Sequence, residues 1–218
     1  MINRILTDKD REKYKSVIDD MYAHVPEMSG NKIASALVQQ AFVYKSVLDL
    51  RNSVSYMGVP RLTPATVILS AGSYQDTAAE LLRYDGFSVY DVDPVINCDL
   101  HTFKQRRGNY LYDMVISTSV LEHTTYDEKF LADICGLLVP TGVAIVTCDF
   151  KDDYKAGDPV PYTSNRFYTK FDLLQRLRAV LHTHNCDLID EPNYDDKDTF
   201  VWDGINYSFA TYVFRKEG

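Results

Sequence analysis

TVILSAGSYQDTAAELLRYDGFSVYDVDP, residues 66–94, decides the fold. Thr66–Ala71 is a short apolar run, as expected of a strand covered on both faces. Gly72 ends it. Asp76–Tyr84 places Ala78, Leu81 and Leu82 on one side of a helix, Gly86 turns the chain, and Ser88–Val92 forms a second strand. Strand, helix and strand in so short a span make a parallel unit with a right-handed crossover.

The rhythm continues downstream. Tyr112–Ser117 is a third strand. Tyr126–Leu138 is a helix with Phe130, Ile134, Leu137 and Leu138 inward, and Pro140 and Gly142 turn the chain into a strand at Val143–Thr147. Lys151–Tyr168 is a long polar and aromatic connection. Thr169 and Asp172 then form a capping box before a helix that presents Phe171, Leu174, Leu177 and Leu181. Asp187–Ile189 and the alternating Ser208–Phe214 pair as antiparallel strands. The fold class is α/β: a doubly wound, Rossmann-like, mostly parallel sheet with an antiparallel last strand.

Upstream, residues 1–60 form an N-terminal helical extension to a domain spanning 61–218. Thr7 and Asp10 cap a polar helix reaching Met21. Lys32–Tyr56 carries Ile33, Leu37, Ala41, Tyr44 and Leu48 as one stripe, and Pro60 and Pro64 break the chain. The Lys32–Tyr56 helix is a candidate partner or homodimer face.

Bulk properties narrow the function. A net charge of −8 over 218 residues disfavours a nucleic-acid binder, which needs a basic face. The tight basic group Lys104, Arg106 and Arg107 reads as a solvated loop. The four cysteines lack metal-ligand spacing, and Cys135 and Cys148 sit in apolar runs, which favours a reducing, cytoplasmic compartment. Met1–Lys15 has no apolar leader, and no run reaches the roughly 20 apolar residues of a membrane span.

Four stretches carry candidate chemistry. In the first, Gly72 lets a ligand approach the backbone, Ser73 and Asp76 can cap the following helix, and the free N–H groups there suit an anion. An ordinary strand–helix turn is the alternative, since Tyr74 and Thr77 stand where two further glycines would complete a fingerprint. In the second, Asp93 lies 21 residues after Gly72 and before Pro94, about where a carboxylate accepts from a ribose in nucleotide-binding sheets; initiating a turn is its other reading. In the third, Asp99 can accept an adenine amino group with Leu100 against the ring, or act as a loop acid, and His101 reads as a surface or capping residue. In the fourth, Ser117, Thr118 and Ser119 end a buried strand and leave room in the crevice, and Glu122 and His123 follow. His123 can accept a proton from a substrate hydroxyl or hydrogen-bond a cofactor or loop carbonyl.

The segment from Thr66 to Phe150 resembles class I S-adenosylmethionine-dependent methyltransferases. GSYQDTA, DPVINCDL, STSVLEH, TCDF and NRFYTKFDL are most similar to small methyltransferase domains associated with polysaccharide and glycan assembly. The resemblance implies S-adenosylmethionine as cofactor, held by Ser70, Gly72, Ser73, Tyr74, Asp76, Thr77, Asp93, Pro94, Asp99, Leu100, Ser117, Thr118 and Ser119. Ser70 replaces the usual acid before the first glycine, so backbone carbonyls at Gly72 and Ser117 are candidates for the cofactor's amino end. The helix and strand usual between Asp93 and Tyr112 are shortened.

Methyl transfer to a hydroxyl of a sugar, in a glycan or nucleotide sugar, is the activity implied, with His123 or Asp149 as base. Association with, or fusion to, glycosyltransferases goes with that branch. The 151–168 loop is the expected substrate loop, with Tyr154, Tyr162, Arg166 and Tyr168 as contacts, whereas Trp202 reads as packing. The acids Asp149, Asp152, Asp153 and Asp158 read as a solvated loop rather than a magnesium site. N-methylation of a small amine, a nicotinamide-dependent oxidoreductase and a non-catalytic nucleotide-binding module are the alternatives.

Overall fold

A computed structural model of the chain describes residues 1–52, 66–195 and 199–218. Pro60, Pro64, the end of the expected Lys32–Tyr56 helix and the expected domain boundary lie outside the described residues.

The central strands are β2 (Val67–Ala71), β3 (Ser88–Val92), β4 (Tyr112–Thr118) and β5 (Leu138–Phe150), parallel in the order β5-β4-β2-β3. β8 (Ile205–Lys216) runs antiparallel beside β5, from Val143 opposite Arg215 to Phe150 opposite Ser208. Three short strands also pair antiparallel with β8: β1 (Ile5–Leu6), β6 (Cys186–Leu188) and β7 (Phe200–Trp202). Residues 93–111 contain a helix but no strand, so β3 is the sheet edge.

Apolar side chains alternate through the pleat into two cores. Met114, Ile116, Val143 and Ile145 face one side, where α2 (Lys15–His24), α4 (Ala36–Asn52) and α5 (Thr77–Tyr84) pack. Val115, Ala144, Val146 and Cys148 face the other, covered by α6 (Leu100–Arg107), α7 (Asp127–Leu137) and α8 (Arg178–Thr183). Helices on both faces make this a doubly wound sheet. β3 and β4 flank β2 on opposite sides, which opens a crevice at the carboxyl ends of the strands.

Several expectations need correction. The N-terminal segment is not wholly helical: Ile5–Leu6 joins the sheet, and the expected first helix divides at Tyr14 into α1 (Asp8–Lys13) and α2, with a short α3 (Pro26–Gly30) after them. The capping box stands, with the Thr7 N–H donating to the Asp10 carboxylate at 2.9 Å. Ile33 precedes α4 and is exposed, and α4 is buried on most of its circumference rather than along one stripe. Lys104, Arg106 and Arg107 form the last turn of α6, not a loop. Lys104 reaches Asp133 at 3.0 Å, and Arg107 lies over the Phe103, Tyr90 and Tyr110 rings. Pro140 and Gly142 do not end a turn outside the sheet. Tyr112 pairs with Leu138 and Met114 with Val143, so the extra β5 residues bulge out around Thr141, at φ +66°.

The helix after Thr169 begins as a π-helical stretch, Asp172–Leu177. Its wider winding turns Leu173 and Leu177 inward and leaves Phe171 69% exposed. β8 is buried on both faces because its side chains alternate into the two cores, Phe209 and Val213 into one and Ala210, Tyr212 and Phe214 into the other. β7 was missed altogether. Among the described residues, no helix is long and apolar enough to cross a membrane.

Candidate functional site

A cavity of about 670 Å³ opens at the switch point. The ends of β2, β3, β4 and β5 line it with Gly72, Asp93, Thr118 and Asp149. The N-terminal segment adds Lys32 and Gln39, and the β7–β8 hairpin adds Trp202 and Tyr207.

Gly72 has φ +85°, and a Cβ on it would lie 2.3 Å from a Val120 methyl carbon. A glycine is therefore required twice, by conformation and by the close approach of the β4 loop. The Asp93 carboxylate joins the neighbouring loops, accepting from the Tyr74 N–H at 3.2 Å and the Val95 N–H at 2.7 Å. Each oxygen keeps capacity for a further donor from the cavity side. Asp91, two residues earlier on β3, pairs with Arg83 at 2.6 Å.

Asp76 caps α5 by accepting from the Ala78 and Ala79 N–H groups, and it takes the Ser70 hydroxyl at 2.8 Å. Burial pushes its carboxyl above the usual range. Burial likewise lowers the Lys32 ammonium, with Asp76 pulling the other way. Asp99 caps α6, accepting from the Thr102 N–H at 3.0 Å, and lies on the wall with Leu100 and Phe130.

Of the expected cofactor residues, Gly72, Tyr74, Asp76, Asp93, Pro94, Asp99, Leu100, Thr118 and Ser119 line the cavity, and Ser70, Ser73, Thr77 and Ser117 do not. Ser70 supports Asp76, Thr77 donates to Gln40 at 3.1 Å, and Ser117 donates to the Ala71 carbonyl at 2.8 Å, tying β4 to β2. Ser73 is buried, and its hydroxyl has no partner among the described residues. These four stand behind the wall rather than on it.

His123 lies on the cavity wall, at the end of a 3₁₀ turn (Leu121–His123). Its Nδ1 is bonded to the Thr163 carbonyl. A carbonyl only accepts, so Nδ1 carries a proton, and in the neutral ring the lone pair is the one on Nε2. The main chain holds this arrangement closed: the Asn165 N–H donates to the Glu122 carbonyl at 2.8 Å, and the Asn165 amide to the His123 carbonyl at 2.6 Å.

Asp149 lines the cavity but is 4% exposed, accepting the Ser164 hydroxyl at 3.1 Å. Glu122, wholly buried, accepts from the Ser119 hydroxyl at 2.7 Å. Burial raises both carboxyls, and their proximity raises Asp149 further. Glu122 moves from 4.5 to about 7, against the hydrogen bonds that favour its charged form. Both shifts favour a shared proton on the pair and so disfavour Asp149 as a free carboxylate base. The sequence reading named Glu122 beside His123 but gave it no role.

None of the expected substrate contacts faces the cavity. Tyr162 is 97% exposed, and Tyr154 packs edge-on against Phe167. Tyr168 is buried and donates to Asp127 at 2.8 Å. Arg166 lies over the Tyr168 ring and pairs with Asp172 at 2.8 Å. Arg176 binds Asp127 through two nitrogens, at 3.0 and 2.8 Å, so these side chains tie the segment to α7. The loop reaches the cavity through Thr163 and Ser164 instead, and Trp202, read as packing, lines it. The loop acids do not converge: Asp152 accepts from the Lys170 N–H at 2.8 Å and Asp153 pairs with Lys151 at 2.7 Å.

No protein-family model matches the chain, and no curated protein matches it. Solved structures do. A Burkholderia thailandensis 1,6-didemethyltoxoflavin-N1-methyltransferase, with 1,6-didemethyltoxoflavin and S-adenosylhomocysteine bound, is similar over 95% of this chain and 90% of its own, at 18% identity and TM-score 0.51. The [4+2]-cyclase SpnF is similar over 86% of this chain and 84% of its own, at 14% identity and TM-score 0.54. A phosphoethanolamine N-methyltransferase of Haemonchus contortus, bound to phosphomonomethylethanolamine and S-adenosylhomocysteine, is similar over 81% of this chain and 53% of its own, at 10% identity and TM-score 0.50. The chain has the Rossmann-like fold of class I methyltransferases. A cyclase shares that fold, so the reaction must be argued from the site.

Proposed function

We propose that the chain is an S-adenosylmethionine-dependent methyltransferase that methylates a hydroxyl of an uncharged sugar-type acceptor. The observation that carries this reading is one cavity wall holding the Gly72 turn, Asp93 and a histidine whose tautomer leaves Nε2 basic. S-adenosylhomocysteine in two similarly folded proteins supports the choice of cofactor.

The residues present fit that nucleoside. Asp93 would accept from the ribose hydroxyls, Asp99 from the adenine amino group, and Leu100 and Phe130 would flank the ring. The main chain at Gly72 and the Lys32 ammonium would take the amino-acid end. The bound cofactor supplies an electrophilic methyl group on a sulfonium.

This chain's own part is alignment and proton transfer. His123 Nε2 takes the hydroxyl proton as that oxygen bonds to the methyl carbon and the carbon–sulfur bond breaks. Imidazolium, a methyl ether and a neutral thioether result, so charge balances. Lys32 is the one Lys or Arg side chain lining the cavity among the described residues, and Arg166 is held by Asp172. That favours a neutral acceptor over a nucleotide sugar, whose phosphates need cations.

Transfer of labelled methyl from S-adenosylmethionine to a set of methyl glycosides tests the reading. His123→Ala is expected to slow transfer by ~10²–10⁴-fold without weakening adenosylhomocysteine binding. Undiminished turnover would remove the base, and label appearing only on amines would favour N-methylation.

A further inference from the structure

Gln39 is 0% exposed on α4, and neither its amide nitrogen nor its amide oxygen has a partner among the described residues. Its neighbour Gln40 is engaged through its oxygen, which takes the Thr77 hydroxyl at 3.1 Å and the Ala78 N–H at 2.9 Å. The two amides sit side by side in an otherwise mostly apolar stretch and face different structures. Gln40 turns toward the start of α5, on the cofactor side. Gln39 is four residues after Ser35, which ends the turn before α4 and lies beside Tyr207 of the β7–β8 hairpin. Gln39 lines the cavity, as do Tyr207 and Trp202.

A buried carboxamide left unsatisfied destabilises a fold, so one that a native chain retains calls for a partner such as a bound water or a ligand, and its place on the cavity favours the ligand. Gln39 offers a donor and an acceptor side by side. A ring carrying two adjacent hydroxyls offers the complement, one accepting from Nε2 and one donating to Oε1. The aromatic side chains on the same wall suit the apolar face of such a ring. The geometry points to Gln39 as the residue that recognises the acceptor, by binding a pair of neighbouring hydroxyls on an uncharged ring beside the one that is methylated. This assignment rests on the methyl-transfer reading and adds the chemical group that is read.

Gln39→Met, an unbranched replacement of similar size, separates the roles. If the amide waits for an acceptor, the ligand-free variant melts higher than wild type, by about 3 °C or more, because a desolvated polar group has been removed. Adenosylhomocysteine affinity stays the same, while kcat/KM for a methyl glycoside falls by about tenfold or more. Removing the neighbouring hydroxyl from the glycoside slows wild type but leaves Gln39→Met unaffected, the signature of a direct pair. A lower melting temperature or weaker adenosylhomocysteine binding in the variant would make Gln39 a structural or cofactor residue and overturn the assignment. Equal sensitivity of both proteins to the deoxy glycoside would overturn it too. Wild type that binds adenosylhomocysteine yet methylates no glycoside overturns the acceptor class alone, whereas wild type that fails to bind it overturns the methyl-transfer reading itself.

Discussion

Single side chains divide into those whose role follows from spacing and those whose role follows from direction. The positions of Gly72 and Asp93 at the cavity were legible because a strand end and the interval after it fix where each falls. His123 was legible as a polar residue just past a buried strand. Tyr154, Tyr162, Arg166 and Tyr168 were misread because an aromatic, cationic loop composition does not say which way its side chains turn, and ion pairs with Asp127 and Asp172 turn Arg166 away from the cavity. Glu122 and Gln39 carried a weaker signal, a polar residue where its neighbours are apolar. At Gly72, alanine must hold a left-handed backbone and displace Val120. Gly72→Ala is expected to cost about 2–4 kcal/mol in urea unfolding and to weaken adenosylhomocysteine binding. An unchanged unfolding midpoint would show that Val120 yields freely.

Among the elements, parallel strands and their crossover helices were legible because hydrophobic runs of strand length alternate with helical periodicity. The faces of α4 were not, since a helix packed between the sheet and two others loses its one-sided pattern. The β7–β8 hairpin had a signal in Asp203-Gly204, whose φ values of +50° and +75° suit a two-residue hairpin turn. The Phe171 register was lost because a π-helical stretch breaks the 3.6-residue period. At this scale, the segment from Arg166 to Arg176 is anchored by Asp127, which takes the Tyr168 hydroxyl and two Arg176 nitrogens. Asp127→Ala is expected to lower stability by about 2–4 kcal/mol in urea melts and to leave adenosylhomocysteine affinity intact. Weakened affinity without lost stability would place the network in the site instead.

The molecule as a whole carries a buried acid pair at its centre. Because Glu122 titrates near 7 when folded and near 4.5 otherwise, the folded chain holds a proton between those values that the unfolded chain has released. Stability from this group is therefore complete below about 4.5 and is lost as pH rises through 7, and Asp149 acts in the same sense. Glu122→Gln is expected to flatten the fall in melting temperature between about pH 4 and about pH 8, which bracket that window. An equally steep fall in the variant would place the titration elsewhere.

The central claim is that the crevice at the switch point holds a sulfonium nucleoside through Asp93. Calorimetric titration of the intact chain with adenosylhomocysteine tests it most directly, with Asp93→Asn alongside. The account predicts one-to-one binding by the wild type, weakened about tenfold or more in the variant as ribose hydrogen bonds to a charged acceptor are lost. No heat of binding in the wild type, or equal affinity in both proteins, would contradict it.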